Sequence, residues 1–261
     1  MNITFEKWHG NGNDFVIVNS IHDEIKIKKS FVKKISNRNT GIGFDQLIHI
    51  CLPTKSDKHF FMRFYNSDGS EAGMCLNGVR CGARYIWKNS FYPLSPIEIQ
   101  TKTKNILCSP DKKDVSALIE QPSKMSVPRE INKKIEAIAG EKFFLSNIGN
   151  NHLCIEKKSI DKLNLEDFYK SLDEALNKFN VNLSIFKKND AHIQIRTYEN
   201  GVGETLSCGS ASLCVAAKFL NQNKNTLKVS SMGGELRFKL VKNGILISGS
   251  ASFSYKGNIN E

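Results

Sequence analysis

The chain has 261 residues, of which 40% are hydrophobic and 24% are charged, and it carries a formal net charge of +11. This composition is typical of one large or two modest globular domains with enough apolar residues for real cores. No uninterrupted apolar stretch approaches about 18 residues, which excludes a membrane-spanning helix. The N-terminus shows no basic region followed by an apolar run, so we expect neither a signal peptide nor a membrane partner.

The seven cysteines are an odd number in a chain without export signals, which indicates reduced thiols and a cytoplasmic location. No CxxC pair occurs, and the spacing of Cys75 and Cys81 is poor for zinc ligands, so we expect no metal. The positive charge comes from lysines scattered in pairs without a nucleic-acid motif, so we expect solvated lysines and no nucleic-acid partner.

The first elements are read from hydrophobic periodicity and turn residues. Ile3–Trp8 and Phe15–Val18 are predicted strands separated by a Gly-Asn-Gly-Asn turn. Ser30 is the predicted N-cap of a helix over Phe31–Arg38, and Gln46–Cys51 is predicted to be the next strand.

An internal duplication follows. Residues 59–83 and 192–216 align without a gap at a constant offset of 133 (192 − 59 = 133). Seven pairs are identical at this offset: His59 and His192, Arg63 and Arg196, Tyr65 and Tyr198, Glu71 and Glu204, Cys75 and Cys208, Cys81 and Cys214, and Ala83 and Ala216. Two copies are too few for a solenoid, so the duplication predicts two similar domains that face each other.

Each copy predicts a strand, a turn and a helix that starts at a cysteine. Phe60–Tyr65 and Ile193–Arg196 alternate with period two, and helical spacing begins after Cys75 and after Cys208. The positive end of a helix lowers the pKa of a thiol, so we expect lowered values for both cysteines.

The first backbone N–H groups of these helices are candidates to bind a substrate carboxylate. They belong to Leu76 and Asn77 in the first copy and to Gly209 and Ser210 in the second. A thiol beside a bound carboxylate, present twice, is typical of a two-base racemase, in which a thiolate removes an α-proton and a thiol returns one on the opposite face.

The rest of the chain is predicted to be mainly strands. The predicted strands are Ile97–Gln100, Asn105–Ser109, Val115–Glu120, Lys142–Ile148, Val181–Phe186, Leu227–Ser230, Glu235–Val241 and Ile245–Ser248. Leu165, Phe168, Leu172 and Leu176 have helical spacing. The prolines and polar residues of Gln121–Pro128 favour a crossing between domains.

The motifs of the chain resemble those of the diaminopimelate epimerase family. They are HGNGNDF from His9, GIGFDQ from Gly41, FYNSDGSE from Phe64, MCLNGVRC from Met74, GNNH from Gly149, YENGVGET from Tyr198 and CGSAS from Cys208. They occur in family order over nearly the whole chain, which makes the resemblance specific. Proline racemases and other two-cysteine epimerases share this architecture.

The resemblance implies an α/β (α+β) fold of two pseudo-symmetric domains. Each would be a mixed, largely antiparallel sheet wrapped around a central helix, with the active site in the cleft between them. We expect an N-terminal domain of residues 1–121 plus 250–261, since Ser250–Tyr255 would cross back as in the family, and a C-terminal domain of residues 122–249. The resemblance also implies a homodimer, with the segment around Tyr255 at the interface.

The implied activity is epimerisation of LL-diaminopimelate to meso-diaminopimelate, for lysine and peptidoglycan precursors, without a cofactor. Cys75 and Cys208 would be catalytic, and His152 and Glu199 would tune the thiols and orient the α-amino group. The implied substrate-binding residues are Asn13, Gln46, Asn66, Leu76, Asn77, Asn150, Asn182, Glu199, Asn200, Gly209 and Ser210.

Four residues depart from the family pattern. Leu76 and Ala211 stand where glycines are usual, and Asn151 replaces a proline. Asn200 replaces a family arginine that binds the distal carboxylate of diaminopimelate, so substrate specificity is expected to weaken or change. The alternatives are therefore a racemase or epimerase of another amino acid, or a non-catalytic relative that binds an amino acid.

Overall fold

The computed structural model describes residues 2–140, 142–172, 176–189 and 192–260. The chain divides into two compact units. The first is made of Met1–Ile119 with Ser248–Glu261, and the second is Glu120–Ile247.

Strands dominate both units. The strands of the described residues are β1 (Asn2–Gly10), β2 (Asn13–Ser20), β3 (Gln46–Cys51), β4 (Phe60–Asn66), β5 (Glu71–Ala72), β6 (Ile97–Gln100), β7 (Asn105–Asp111), β8 (Asp114–Ile119), β9 (Ser123–Lys124), β10 (Phe143–Asn147), β11 (Asn151–Glu156), β12 (Val181–Asn189), β13 (His192–Glu199), β14 (Gly203–Thr205), β15 (Thr226–Ser231), β16 (Gly234–Val241), β17 (Gly244–Gly249) and β18 (Ser252–Asn260). The helices within the described ranges are α1 (Lys29–Ser36), α2 (Leu76–Lys88), α3 (Arg129–Ala139), α4 (Leu165–Ser171) and α5 (Gly209–Phe219), with a 3₁₀ turn at Asn177–Phe179.

The two units repeat one order of strand pairing. In the first, β1 and β2 are antiparallel, β2 and β3 are parallel, and β3, β4 and β5 are antiparallel neighbours. β4 then runs parallel to β6, which is antiparallel to β7. In the second, β10 and β11 are antiparallel, β11 and β12 are parallel, and β12, β13 and β14 are antiparallel neighbours. β13 then runs parallel to β15, which is antiparallel to β16. The predicted fold class, a mixed and largely antiparallel sheet in each pseudo-symmetric half, is confirmed.

Each sheet carries apolar side chains on both faces. Because strand residues alternate between faces, Val16 and Leu47 pack on the side of α1, whereas Phe15 and Ile48 lie under α2. α2 sits close to the sheet at Gly78, where an added Cβ would lie 2.8 Å from Cε1 of Phe64.

The second unit is built in the same way. Leu153 and Leu183 pack with α3 and α4 in one hydrophobic cluster, while α5 packs on β11, β15 and β16. The central helix that was expected in each half is therefore present.

One expectation about the helices is wrong, and one helix was not predicted. α1 begins at Lys29 after Lys28 and has no side-chain cap, so Ser30 is inside the helix. α3 was not anticipated, although Ile131, Ile135 and Ala139 repeat every four residues and two of them are buried. α4 begins at the expected Leu165 with Asn164 as its N-cap, and the residues after Leu172 lie partly outside the described ranges. No helix among the described residues has the length and apolar character needed to cross a membrane.

Candidate active site

Cys75 lies between the β4–β5 hairpin and α2. It is the N-cap residue of α2, with φ −138° and ψ 116°, and its Sγ accepts a hydrogen bond from the Gly78 N–H at 3.4 Å. The sulfur also lies 3.9 Å from Oδ1 of Asn13, which in turn accepts from Nδ2 of Asn77 at 3.4 Å. The predicted residues Asn13, Cys75 and Asn77 are thus brought together.

Gln46 and Asn66 form a second predicted pair in this unit. They are directly opposite each other on β3 and β4, and Nε2 of Gln46 donates to Oδ1 of Asn66 at 2.8 Å. Asn66 donates its own Nδ2 hydrogen to the Ser70 hydroxyl. The Oε1 atom of Gln46 is buried and has no hydrogen-bond partner among the described residues, so it is available to accept from a ligand.

A charged network that sequence reasoning missed orients Asn13. Asp45 Oδ2 accepts from Nδ2 of Asn13 at 2.6 Å, which leaves the Asn13 oxygen on the side of Cys75. Arg38 donates to both Asp14 and Asp45. Burial would raise the pKa of Asp14, but hydrogen bonds from Arg38 and Lys7 lower it to about 2. The signal was present, since both aspartates lie inside the quoted motifs.

Cys208 occupies the same place in the second unit. It is the N-cap of α5, it is 6% exposed, and its Sγ lies 3.3 Å from the Ser210 hydroxyl. Burial raises the pKa of Cys208 well above its ordinary value, and the Glu199 carboxylate adds to this, while the Ser210 hydroxyl and the Ala211 N–H oppose it. The expected lowering is therefore wrong for Cys208, because loss of solvent outweighs the helix terminus.

His152 lies in β11, opposite Asn182 on β12. It is fully buried, and neither ring nitrogen has a hydrogen-bond partner within the described part of the chain. Burial lowers the pKa of His152 to about 4, so the ring is neutral at pH 7. It could therefore accept or donate a hydrogen bond, but it supplies no positive charge to a thiolate.

The other predicted residues of this unit line the ends of the same strands. Asn150 donates from Nδ2 to the Ser210 hydroxyl at 3.4 Å, and Glu199 Oε1 accepts from the Thr205 hydroxyl at 2.7 Å. The side-chain oxygen of Asn182 accepts from the backbone N–H of Asn200 at 2.9 Å, which holds the turn after β13.

The ladder registers show which residues of the two units correspond. Gln46 faces Asn66 in the first unit, and the β12–β13 register sets Asn182 one step beyond the Leu183–Tyr198 pair, level with Glu199. The equivalent pairs are Asn13 and Asn150, Phe15 and His152, Gln46 and Asn182, Asn66 and Glu199, Cys75 and Cys208, and Asn77 and Ser210. The contact of Asn13 with Asn77 recurs as that of Asn150 with Ser210. Each unit therefore places a cysteine at the N-cap of a helix, and the amide of an equivalent residue, Asn13 or Asn150, contacts the first turn of that helix.

The family profile described as diaminopimelate epimerase matches residues 5–121 and 144–253. The chain belongs to the diaminopimelate epimerase family. A protein named diaminopimelate epimerase from Methanocella arvoryzae is 32% identical over an alignment of 279 positions, which covers 99% of this chain and 97% of that protein.

Solved structures of proteins with other names share the fold of this chain. A phenazine biosynthesis protein of the PhzF family from Bacillus anthracis aligns with a TM-score of 0.71 at 15% identity, over 100% of each chain. A hydroxyproline epimerase from Agrobacterium vitis aligns with a TM-score of 0.65 at 10% identity, over 99% of this chain and 92% of that one. At these identities the likeness is one of fold.

One departure from the diaminopimelate epimerase pattern is accommodated locally. Asn151, where the family has proline, accepts from Nδ2 of Asn147 at 2.6 Å and donates to the Phe179 carbonyl at 2.8 Å. These bonds hold the strand start that a proline ring would otherwise stiffen. Within the described ranges, no three His, Cys, Asp or Glu side chains are grouped to hold a metal ion.

Proposed function

We propose that this chain converts LL-diaminopimelate to meso-diaminopimelate without a cofactor, through a thiolate and a thiol. The observation that carries the proposal is the repeated arrangement at Cys75 and Cys208. Each sulfur stands at the start of a helix, and the amide of Asn13 or of its equivalent Asn150 contacts the first turn of that helix. Inversion of an α-carbon needs only acid–base chemistry, provided that a proton carrier lies on each of its two faces.

One proton is removed from the substrate and one is returned in each turnover. One cysteine, as thiolate, takes the α-proton, and the C–H electron pair is left on the substrate as a carbanion delocalised into its carboxylate. The other cysteine, as thiol, gives its proton to the opposite face and becomes the thiolate. The N–H groups of Leu76, Asn77, Gly209 and Ser210 would stabilise the charge that develops on the carboxylate.

The remaining predicted residues would bind the polar ends of the substrate. Two acceptors suited to ammonium groups are the Glu199 carboxylate and Oε1 of Gln46, which has no hydrogen-bond partner among the described residues. Asn66, Asn150, Asn182 and Asn200 would hold the distal end by neutral hydrogen bonds. The proposal includes a cytoplasmic role in making lysine and peptidoglycan precursors, which follows from the substrate.

Proton exchange in D₂O tests the mechanism. The wild-type chain should produce meso-diaminopimelate with deuterium at the inverted α-carbon, measured by chiral chromatography and mass spectrometry. Cys75→Ala and Cys208→Ala should each abolish inversion, since each removes the only proton carrier for one face. The matched controls are Cys81→Ala and Cys214→Ala, which alter buried cysteines of the same two helices and should remain active. Inversion at near wild-type rate by either of the first two variants would overturn the two-base proposal.

A racemase of another amino acid is the second candidate, favoured by Asn200 at the position of the family arginine. A screen of diaminopimelate, lanthionine, lysine, glutamate, histidine and proline separates the two. Turnover of a monocarboxylate well above that of diaminopimelate would favour the second candidate. No turnover of any of them, combined with measurable binding, would favour a non-catalytic amino-acid-binding protein.

We also propose that the chain forms a homodimer through β18, the strand that carries Phe253 and Tyr255. The two residues are 41% and 46% exposed, although the Phe253 ring packs against Trp8 and the Tyr255 ring against Phe5. Large apolar side chains exposed on neighbouring positions of one strand are typical of protein interfaces. Light scattering should give twice the mass of one chain, and Tyr255→Asp should shift the population to monomer. A wild-type monomer would refute the proposal.

A further inference from the structure

Asp45, the residue before β3, is held firmly by its neighbours, and the proposed mechanism does not use it. Its backbone N–H donates to Oδ1 of Asp14 at 2.9 Å, and its Oδ1 accepts from Nη2 of Arg38 at 2.9 Å. Its Oδ2 accepts from the Asp14 backbone N–H at 3.1 Å and from Nδ2 of Asn13 at 2.6 Å. The carboxylate is therefore fixed on the side of Asn13.

The contact with Asp45 decides which end of the Asn13 amide faces Cys75. A carboxylate that is paired with a guanidinium accepts hydrogen bonds and does not donate them. The Asn13 nitrogen must therefore be the end that points to Asp45. The oxygen end is left on the side of Cys75, with Oδ1 at 3.9 Å from the sulfur.

A second constraint, from the opposite direction, gives Asn13 the same orientation. Arg80 is fully buried in α2, and its Nη2 donates to Oδ1 of Asn77 at 2.8 Å. Because the Asn77 oxygen is turned to Arg80, the Asn77 nitrogen is turned to Asn13, where it donates to Oδ1 at 3.4 Å. A directed chain of hydrogen bonds thus runs from the Arg80 guanidinium through two amides to the Asp45 carboxylate. The bonds of such a chain polarise and strengthen one another.

A thiol fits both contacts of the Cys75 sulfur, whereas a thiolate fits only one of them. The sulfur accepts from the Gly78 N–H at 3.4 Å, and it lies next to the Asn13 oxygen. A thiol can accept the first bond and donate its own hydrogen to that oxygen. A thiolate has no hydrogen to donate, so it would face the negative end of the Asn13 amide dipole. The arrangement therefore favours an S–H group that points to Asn13.

In the second half, apolar residues stand at both ends of the equivalent chain. Gln46 is equivalent to Asn182, so the residue before it, Asp45, is equivalent to Val181. The position equivalent to Arg80 is Leu213 (80 + 133 = 213). Val181 and Leu213 are both buried, and neither side chain can donate or accept a hydrogen bond.

The middle of the chain is kept in the second half, but it does not fix the direction of the thiol hydrogen. Asn150 donates from Nδ2 to the Ser210 hydroxyl at 3.4 Å, as Asn77 does to Asn13. The Cys208 sulfur lies 3.3 Å from that hydroxyl, which can donate as well as accept. A fixed acceptor for the thiol hydrogen is thus a feature of Cys75.

We propose that Asp45 is a positioning residue, which through the Asn13 amide holds Cys75 as a thiol with its hydrogen directed at the Asn13 oxygen. Under the proposed function, Asp45 keeps one proton carrier protonated and in a defined direction, as the acid of a two-base reaction requires. That use rests on the proposed function, whereas the direction of the S–H bond does not.

The S–H stretching band of Cys75 tests the proposal in the free chain. This band falls in a region of the infrared spectrum that is free of other protein bands, and it moves to lower frequency when the S–H group donates a hydrogen bond. The difference between the spectra of the wild-type chain and Cys75→Ala at neutral pH isolates it. In Asp45→Val, paired with its own Cys75→Ala double variant, the band should move to higher frequency, because the Asn13 nitrogen has lost its acceptor.

Asp45→Asn is the matched variant that separates orientation from charge. It removes the same negative charge as Asp45→Val, but its side-chain oxygen can still accept from Asn13, while its nitrogen turns to the exposed side where Arg38 can move away. The Cys75 band should therefore stay at its wild-type frequency. An equal shift in Asp45→Asn and Asp45→Val would show that charge alone acts, and would overturn the proposal.

Two results in other chains would also overturn it. One is the absence of a Cys75 S–H band from the wild-type chain at neutral pH, which would mean a resting thiolate. The other is an equal band frequency in the wild-type chain and in Asn13→Leu, which removes the oxygen itself and serves if Asp45→Val does not fold. Since no turnover is measured, failure of the chain to act on diaminopimelate would refute the proposed function and not this inference.

Discussion

Arg196 donates two parallel hydrogen bonds to Glu204 across the β13–β14 hairpin, from Nε to Oε1 at 2.7 Å and from Nη2 to Oε2 at 2.9 Å. Arg63 makes the same fork on Glu71 across the β4–β5 hairpin, at 2.8 Å and 3.2 Å. Both arginines and both glutamates are among the duplicated identities. These guanidinium groups therefore hold the hairpins that precede the two candidate cysteines, which is a structural role.

The two forks differ in their surroundings, and this gives a matched prediction. The Arg196 side chain is 16% exposed and its Nη1 also donates to the carbonyls of Ile160 and Leu163, whereas the Arg63 side chain is 38% exposed. Arg196→Lys should lower the free energy of unfolding by about 2 kcal/mol, and Arg63→Lys by less than about 1 kcal/mol. Urea denaturation measures both, and equal losses would contradict the argument.

Asn200→Arg should improve binding of diaminopimelate. The Asn200 side chain makes one long hydrogen bond, to Asn180 at 3.4 Å, while its backbone N–H stays on Asn182, so the turn should survive the change. An added guanidinium would bind the distal carboxylate equally in the ground and transition states. We expect KM to fall with kcat unchanged. Lysine, which lacks that carboxylate, is the control substrate and should show no gain; an unchanged or higher KM for diaminopimelate would count against the substrate proposal.

Two buried histidines should make the fold acid-sensitive. Burial lowers the pKa of His49 and of His152 from 6.5 to about 4. Between these values the unfolded chain binds more protons, so this contribution to stability is complete above pH 6.5 and is lost as pH falls toward 4. As the pH falls through that window, each histidine should lower the free energy of unfolding by roughly 3 kcal/mol.

Unfolding by urea at several pH values checks this. His49→Gln or His152→Gln should each flatten the dependence of unfolding free energy on pH by up to about 1.4 kcal/mol per pH unit in that window. His22→Gln, at an exposed position, is the control and should leave the slope as it is in the wild-type chain. If the pH curves of all three variants ran parallel to the wild-type curve, the buried rings would not be the cause of the acid sensitivity.

Much of each half could be predicted because its signals are local. The alternation of Phe60–Tyr65 and the helical spacing after Cys75 depend only on neighbouring residues, and both elements are present. The ionisation of Cys208 could not be predicted, since it depends on how deeply the folded chain buries the sulfur. The same holds for Asp45, whose contact with Asn13 spans 32 positions. Long-range contacts and burial depth are properties of the packed chain.

Two glycines should respond differently to an added methyl group, because of what lies next to each. A Cβ on Gly10 would lie 2.8 Å from the Ser250 carbonyl oxygen, which belongs to the backbone before β18 and cannot move alone. A Cβ on Gly82 would lie 2.6 Å from Cε of Met62, the end of a flexible side chain. Gly10→Ala should therefore cost roughly 3 kcal/mol of unfolding free energy. Gly82→Ala should change it by less than about 1 kcal/mol, because the gain in helix propensity offsets the repacking. Urea denaturation at constant m-value measures both. If Gly82→Ala lost as much free energy of unfolding as Gly10→Ala, the Met62 side chain would be unable to move aside.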